Sequence, residues 1–99
     1  MKEKIVLLNA CSYENANGKG TRVGFIFGDQ DKVQKTQKFV GYAEMAGYYE
    51  PDVFSRIEPD MIGQPVIGTF KNVQDIKNPL KTRQMLESFE YKGNVVNLL

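Results

Sequence analysis

Residues 21–27 alternate with a period of two: Val23, Phe25 and Phe27 fall on one face, and Arg22, Gly24 and Ile26 on the other. That pattern fits a strand that must bury one apolar face, so the chain is expected to build a sheet. Gly24 within it marks a bulge or a close backbone approach. Residues 4–12 carry the apolar run Ile5-Val6-Leu7-Leu8 and lead into Asn15-Ala16-Asn17-Gly18-Lys19-Gly20, a strand closed by turn chemistry. Asp29-Gln30-Asp31-Lys32 reads as the next turn. Residues 33–43, polar first and then apolar, are expected to form a third strand with one solvated surface.

The texture changes over residues 44–57. Pro51-Asp52 suits a helix start, because Pro fits the first turn and an acid suits the amino-terminal dipole. Val53, Phe54 and Ile57 then follow at helical spacing, and residues 44–49 are expected to be helical too, interrupted at Gly47. Residues 59–64 read as a turn. Strands are expected again over 65–73, 81–91 and 95–98. A loop at Asp75-Ile76-Lys77-Asn78-Pro79 and a tight hairpin at Tyr91-Lys92-Gly93-Asn94 separate them. Three strands, a short helical segment and two or three more strands give the order of an OB-like barrel of five or six strands, the helical segment lying between strands 3 and 4. An SH3-like barrel accepts the same string. At 99 residues the chain suffices for one core, so residues 1–99 are read as a single domain.

Several chemistries find no footing. The chain has no His, which removes Ser-His and Cys-His pairs and histidine metal sites. Gly18-Lys19-Gly20-Thr21 lacks the full phosphate-loop frame and reads as hairpin turn chemistry. Asp29 and Asp31 lack the further ligands of a calcium loop. Glu50, Asp52, Glu58 and Asp60 read as solvated charges beside Pro turns. An enzyme is not expected, nor a metal or other cofactor. The one cysteine, Cys11, allows no internal disulfide and is expected to be a half-buried strand residue. No run approaches the ~18 apolar residues that cross a bilayer, and Ile5–Leu8 is too short for the core of a secretory leader. No membrane partner is expected, and the expected location is cytoplasmic.

Charge is distributed unevenly around a total of +1. Residues 1–43 hold seven Lys/Arg against four Asp/Glu, residues 44–64 one against five, and residues 65–99 five against three. The strands are thus basic and the insert acidic. Basic and aromatic side chains interleave along the strands, the mixture that single-stranded nucleic acid requires: cations track phosphates while aromatic faces accept bases. The candidate contacts are Lys19, Arg22, Lys35, Lys38, Phe39, Tyr42, Tyr48, Lys71, Lys81 and Arg83. Phe25, Phe27, Phe39 and Phe70 compete for core positions, since alternating strands bury one face. Tyr42, Tyr48 and Tyr49 are the better candidates for partial exposure.

Lys38-Phe39-Val40-Gly41-Tyr42, Gly63-Gln64-Pro65-Val66 and Asn78-Pro79-Leu80-Lys81-Thr82 give the chain a layout that resembles the small OB-fold single-stranded DNA-binding proteins of phages and conjugative plasmids. The resemblance implies a non-catalytic protein that coats single-stranded DNA, or RNA, through a basic, aromatic-bearing face. Such proteins are often more basic or carry an acidic tail, whereas this chain closes on Val95-Val96-Asn97-Leu98-Leu99. The alternative is an interaction or structural module, a homodimer paired through that apolar edge strand.

Overall fold

The structure, a computed structural model, describes residues 1–32, 38–74, 80 and 82–99. It is mostly β. Among the described residues, six strands form one antiparallel sheet: β1 (Lys2–Asn15), β2 (Gly18–Phe27), β3 (Met45–Tyr49), β4 (Pro65–Gln74), β5 (Thr82–Tyr91) and β6 (Asn94–Asn97), in the order β3-β2-β1-β4-β5-β6. The two tight hairpins follow from local chemistry. At the first, the Asn15 side chain accepts the backbone N–H of Asn17 at 2.9 Å, and Gly18 takes a φ of +124°. At the second, Lys92 and Gly93 have φ values of +49° and +81°, the double positive φ that lets two residues join right-twisted strands.

β1 is the strand on which both halves meet. Ile5 pairs with Phe27 on one side and Val66 on the other, and Val6 with Ile26 and Pro65. Beyond Leu7 the register slips, so that Leu8 is bulged and Asn9 stands opposite Gly24. The bulge expected at Gly24 lies instead on β1 opposite it, and the atoms closest to Gly24 belong to the Asn9 and Glu44 side chains, not to backbone. The Leu7 carbonyl is taken up by the Gly63 N–H at 2.8 Å. Ile5 and Leu7 are buried with Val23, Phe25, Val66, Phe70, Leu86 and Phe89 on the inner face of the sheet.

Between β3 and β4 the expected helical segment is present as a 3-10 turn, Pro51–Arg56, and a second, Pro59–Met61, falls where a turn was expected. The first packs on β1 and β2 through Val53, and the buried Thr21 hydroxyl donates to the Glu50 carbonyl at 2.9 Å. Pro at the start of each turn fits their φ, and Pro59 limits the first to a few residues.

Four expectations are corrected. The third strand is Met45–Tyr49, where helix was expected; described residues 38–43 are not strand, and 33–37 lie outside the described residues. Gly47 opposes a helix, and the Tyr49 ring lies back over it: a Cβ there would come within 2.5 Å of the Tyr49 hydroxyl. Tyr49, expected to be partly exposed, is buried. Cys11, expected to be half-buried, is exposed, because the Leu8 bulge reverses which face the following residues occupy. Finally, the sheet is not closed into a barrel. β3 and β6 are its margins, and β5 is occupied by β4 and β6.

A buried hydrogen bond spans the opening. The Tyr49 hydroxyl, on β3, donates to the Leu86 carbonyl, on β5, at 2.7 Å. Burial raises the Tyr49 pKa above its ordinary value, with the Arg83 charge opposing. The folded protein therefore holds this proton more tightly than the unfolded chain. The contribution is full below about pH 10 and falls away as pH rises beyond it, where the unfolded chain ionises first. Replacing Tyr49 by Phe should lower stability by about 1–3 kcal/mol at neutral pH, since the Leu86 carbonyl loses its donor. Urea melts at about pH 7 and about pH 10.5 should show a smaller alkaline loss in the variant than in the wild type. Equal losses would show that Tyr49 ionises freely in the folded state.

Candidate functional site

The outer face of β2 carries, at every second position, Gly20, Arg22 and Gly24. Each small residue makes room for a specific neighbour. Tyr13, the ladder partner of Gly20, lies over it so closely that a Cβ on Gly20 would come within 2.6 Å of the Tyr13 hydroxyl. Over Gly24 sit the Asn9 side-chain oxygen and a Glu44 carboxylate oxygen, 2.9 and 2.6 Å from where a Cβ would be. Arg22 stands between these clearings. Its guanidinium donates to Asn9 Oδ1 and to Glu44 Oε1, each at 3.3 Å.

Arg22 pairs in register with Cys11 on β1 and with Tyr48 on β3, so all three side chains share the outer face. Tyr48 is 58% exposed, and the Tyr13 ring meets it edge to face with centroids 6.1 Å apart. The Tyr48 hydroxyl, and then Glu44, raise the Arg22 pKa by hydrogen bonding to the charged form. A shallow concavity of about 360 Å³ results, lined by Cys11, Tyr13, Asn15, Lys19, Arg22 and Tyr48 with the Asn17–Gly18 turn.

The structure thus brings together Lys19, Arg22 and Tyr48 of the expected contacts. Lys38, Phe39 and Tyr42 sit on an exposed stretch that leads into β3, with Phe39 47% and Tyr42 71% exposed. That stretch is tied to the end of β2 through Gln30, whose side chain donates to the Phe27 carbonyl and accepts from the Ala43 N–H, both at 2.9 Å. Phe39 is therefore not core, whereas Phe25 and Phe70 are buried and Phe27 is half-buried, as alternation requires. Lys71 is exposed on β4 opposite Met85, two residues past the Lys2–Thr69 pair. It belongs to the far end of β1, roughly 30 Å along the strand from Cys11. Arg83 lies on β5 at the opening between β3 and β5, outside the concavity. Lys35 and Lys81 lie outside the described residues.

Sequence reasoning missed Tyr13, Asn9 and Glu44. The spacing Gly20-x-Arg22-x-Gly24 carried the signal, since two small residues flanking a long cation on one strand face leave room for neighbours. The acidic insert was expected to lie apart from the basic strands. Its first acid, Glu44, instead neutralises part of that face, while Asp52 pairs within the insert with Arg56.

The concavity offers two cations, two phenol rings and the hairpin amides, an arrangement that suits a planar ring joined to an anion. Among the described residues no cluster of Cys, Asp or Glu could hold a metal ion, and no helix is long and apolar enough to cross a membrane. Neither protein-family models, curated proteins nor solved structures yield a match to this chain.

Gly20 is the residue on which the site's geometry depends most directly. A methyl group there would also come within 2.7 Å of the Tyr49 backbone carbonyl, which cannot rotate aside. Gly20→Ala should therefore destabilise the protein by about 1–3 kcal/mol in a thermal melt, as overpacking does. It should also shift the Tyr13 ring resonances. A neutral effect on both would mean that β3 moves freely away from β2.

Proposed function

We propose that the outer face of β1, β2 and β3 binds single-stranded nucleic acid, with single-stranded DNA as the principal ligand. The observation that carries this reading is the convergence of Tyr48 and Tyr13 with Arg22 and Lys19 around one concavity on a sheet face. Rings supply sequence-tolerant stacking, and the cations supply contacts to the phosphates. The exposed Lys38-Phe39-Val40-Gly41-Tyr42 stretch, at the β2 end of the same half of the sheet, offers a second basic and aromatic surface.

The reading extends to the fold. The neighbours β3-β2-β1-β4-β5 are those of an OB barrel opened between its third and fifth strands, with the 3-10 segment in the place of the inter-strand helix. In that architecture the face of strands 2 and 3 and the loop between strands 1 and 2 carry oligonucleotides. Arg22 and Tyr48 lie on β2 and β3 and the Asn17–Gly18 turn lies between β1 and β2, which supports the reading. The protein acts by binding and coating, without a chemical step.

A homodimer through β6 is the second reading, supported by Val95, which is 60% exposed on that marginal strand. Against it, the Arg56 guanidinium donates to the Asn97 carbonyl at 2.9 Å and so occupies one acceptor of the margin.

The discriminating experiment is fluorescence anisotropy of a labelled oligothymidine across a salt series. Affinity should fall with salt by a log–log slope of about −0.7 for each phosphate contact. Arg22→Ala and Lys19→Ala should each weaken binding and make that slope shallower by about 0.7. Tyr48→Ala should cost about 1–3 kcal/mol with the slope nearly unchanged.

Glu44 gives a further check of sign. Its carboxylate occupies the guanidinium that would receive a phosphate, so Glu44→Gln should tighten binding, most visibly at low salt. Absence of binding at about 20 mM salt, with a dimer seen by sedimentation, would transfer the protein to the second reading.

A further inference from the structure

The opening between β3 and β5 contains a second cleft, of about 370 Å³, on the inner side of the sheet margin. Its back wall is aromatic. Phe27 and Phe70 stack at 5.5 Å with an interplanar angle of 26°, and Phe25 meets both. Tyr49, bonded to the Leu86 carbonyl, ties β3 to β5 beside that wall. Met45 from β3 and Met85 from β5 are among the flanking residues. Among the described lining residues Arg83 is the only charged one. An apolar, ring-lined slot with one guanidinium fits a planar ring that carries an anionic group.

Two observations bear on the occupant. Tyr48 is among the residues lining both this cleft and the outer concavity, so a strand stacked on Tyr48 has only the marginal strand β3 to pass to reach the cleft. The volume is near the lower end of ligand pockets, about 300–1,000 Å³, which suits one ring better than a several-residue peptide strand. We propose that the β3–β5 cleft is a single-nucleotide subsite: one base of a bound single strand turns off the Tyr48 stack into the cleft, and Arg83 holds its phosphate. The inference rests on the nucleic-acid reading of the outer face. Turning a base out costs least when the strand is single, because no pairing is broken. Such a subsite would fix the strand's register on a protein that otherwise binds by stacking and charge.

The test uses the full chain and the shortest oligothymidine that retains full affinity, made abasic at each position in turn. Two positions should matter, each by about tenfold, as the loss of a base–aromatic contact implies. One should lose its effect in Tyr48→Ala. The other should lose its effect in Met45→Trp, which fills the cleft from a side chain that is 39% exposed and so leaves the core alone. Arg83→Gln should weaken binding and make the salt slope shallower by about 0.7.

If oligothymidine binds with the expected salt dependence but Met45→Trp leaves every position unchanged, the cleft is not a subsite and the outer-face reading stands. If the wild type binds no oligothymidine, both fall together. A dimer that dissociates when the cleft is filled would assign the cleft to a second copy and overturn the proposal. Should Met45→Trp fail to fold, Arg83→Gln decides: an unchanged salt slope overturns the subsite.

Discussion

The single extra residue at Leu8 determines which surface this protein presents. Up to Leu7, β1 alternates Ile5 and Leu7 into the core. Continued without interruption, the same alternation would turn Asn9, Cys11 and Tyr13 inward as well. The register slip between Leu7 and Asn9 reverses the parity, and those three side chains emerge on the outer face opposite Gly24, Arg22 and Gly20. Of the core on that half of the strand, β1 contributes little after the bulge, and Ala10 packs against its margin. The inner and outer chemistry of the sheet are thus separated by one residue, and the carbonyl of Leu7 just before it accepts the Gly63 N–H.

The site then follows from small residues placed beside large ones. Gly20 lets the Tyr13 ring approach the sheet, and Gly24 leaves room for Asn9 and Glu44 to reach Arg22. Arg22 is held by neighbours on β1, on β3 and on the segment before it, which limits its freedom before any ligand arrives. A cation ordered in advance loses less entropy on binding a phosphate than a free surface Lys does. Glu44 acts in the other direction, because it competes for the same guanidinium. The positive charge of this surface is therefore partly masked.

Much of the fold was legible where local chemistry and pattern agreed. Val23, Phe25 and Phe27 showed the inner face of β2, and Lys92-Gly93 showed the last hairpin. Pro51 showed the start of the helical segment. The reading failed at Met45–Tyr49, where a glycine between aromatic residues gave no decisive period and pairing with β2 made the choice. It failed again at Cys11, because a bulge leaves no reliable mark in the sequence when the extra residue is an ordinary Leu. Of the site, Arg22, Lys19 and Tyr48 were named as separate positions. Lys71 and Arg83 were named with them, yet the topology sends the first to the far end of β1 and the second to the opening beside β5.

By itself the sequence determined the strand-rich class, the turns, part of the core (Val23, Phe25 and Phe70 among it) and the stock of cations and rings. These are local properties, set by side-chain period, by φ preferences at Gly and Pro, and by the absence of His. Only the tertiary structure decided which cations and rings meet, that Tyr49 turns inward to bridge β3 and β5, and that the sheet stays open between them. Those outcomes depend on register and on contacts between residues distant in the chain, such as the 37 positions separating Tyr49 from Leu86. A shift of one residue in such pairing exchanges the two faces of a strand, and burying one face against the rest of the sheet is what holds the register.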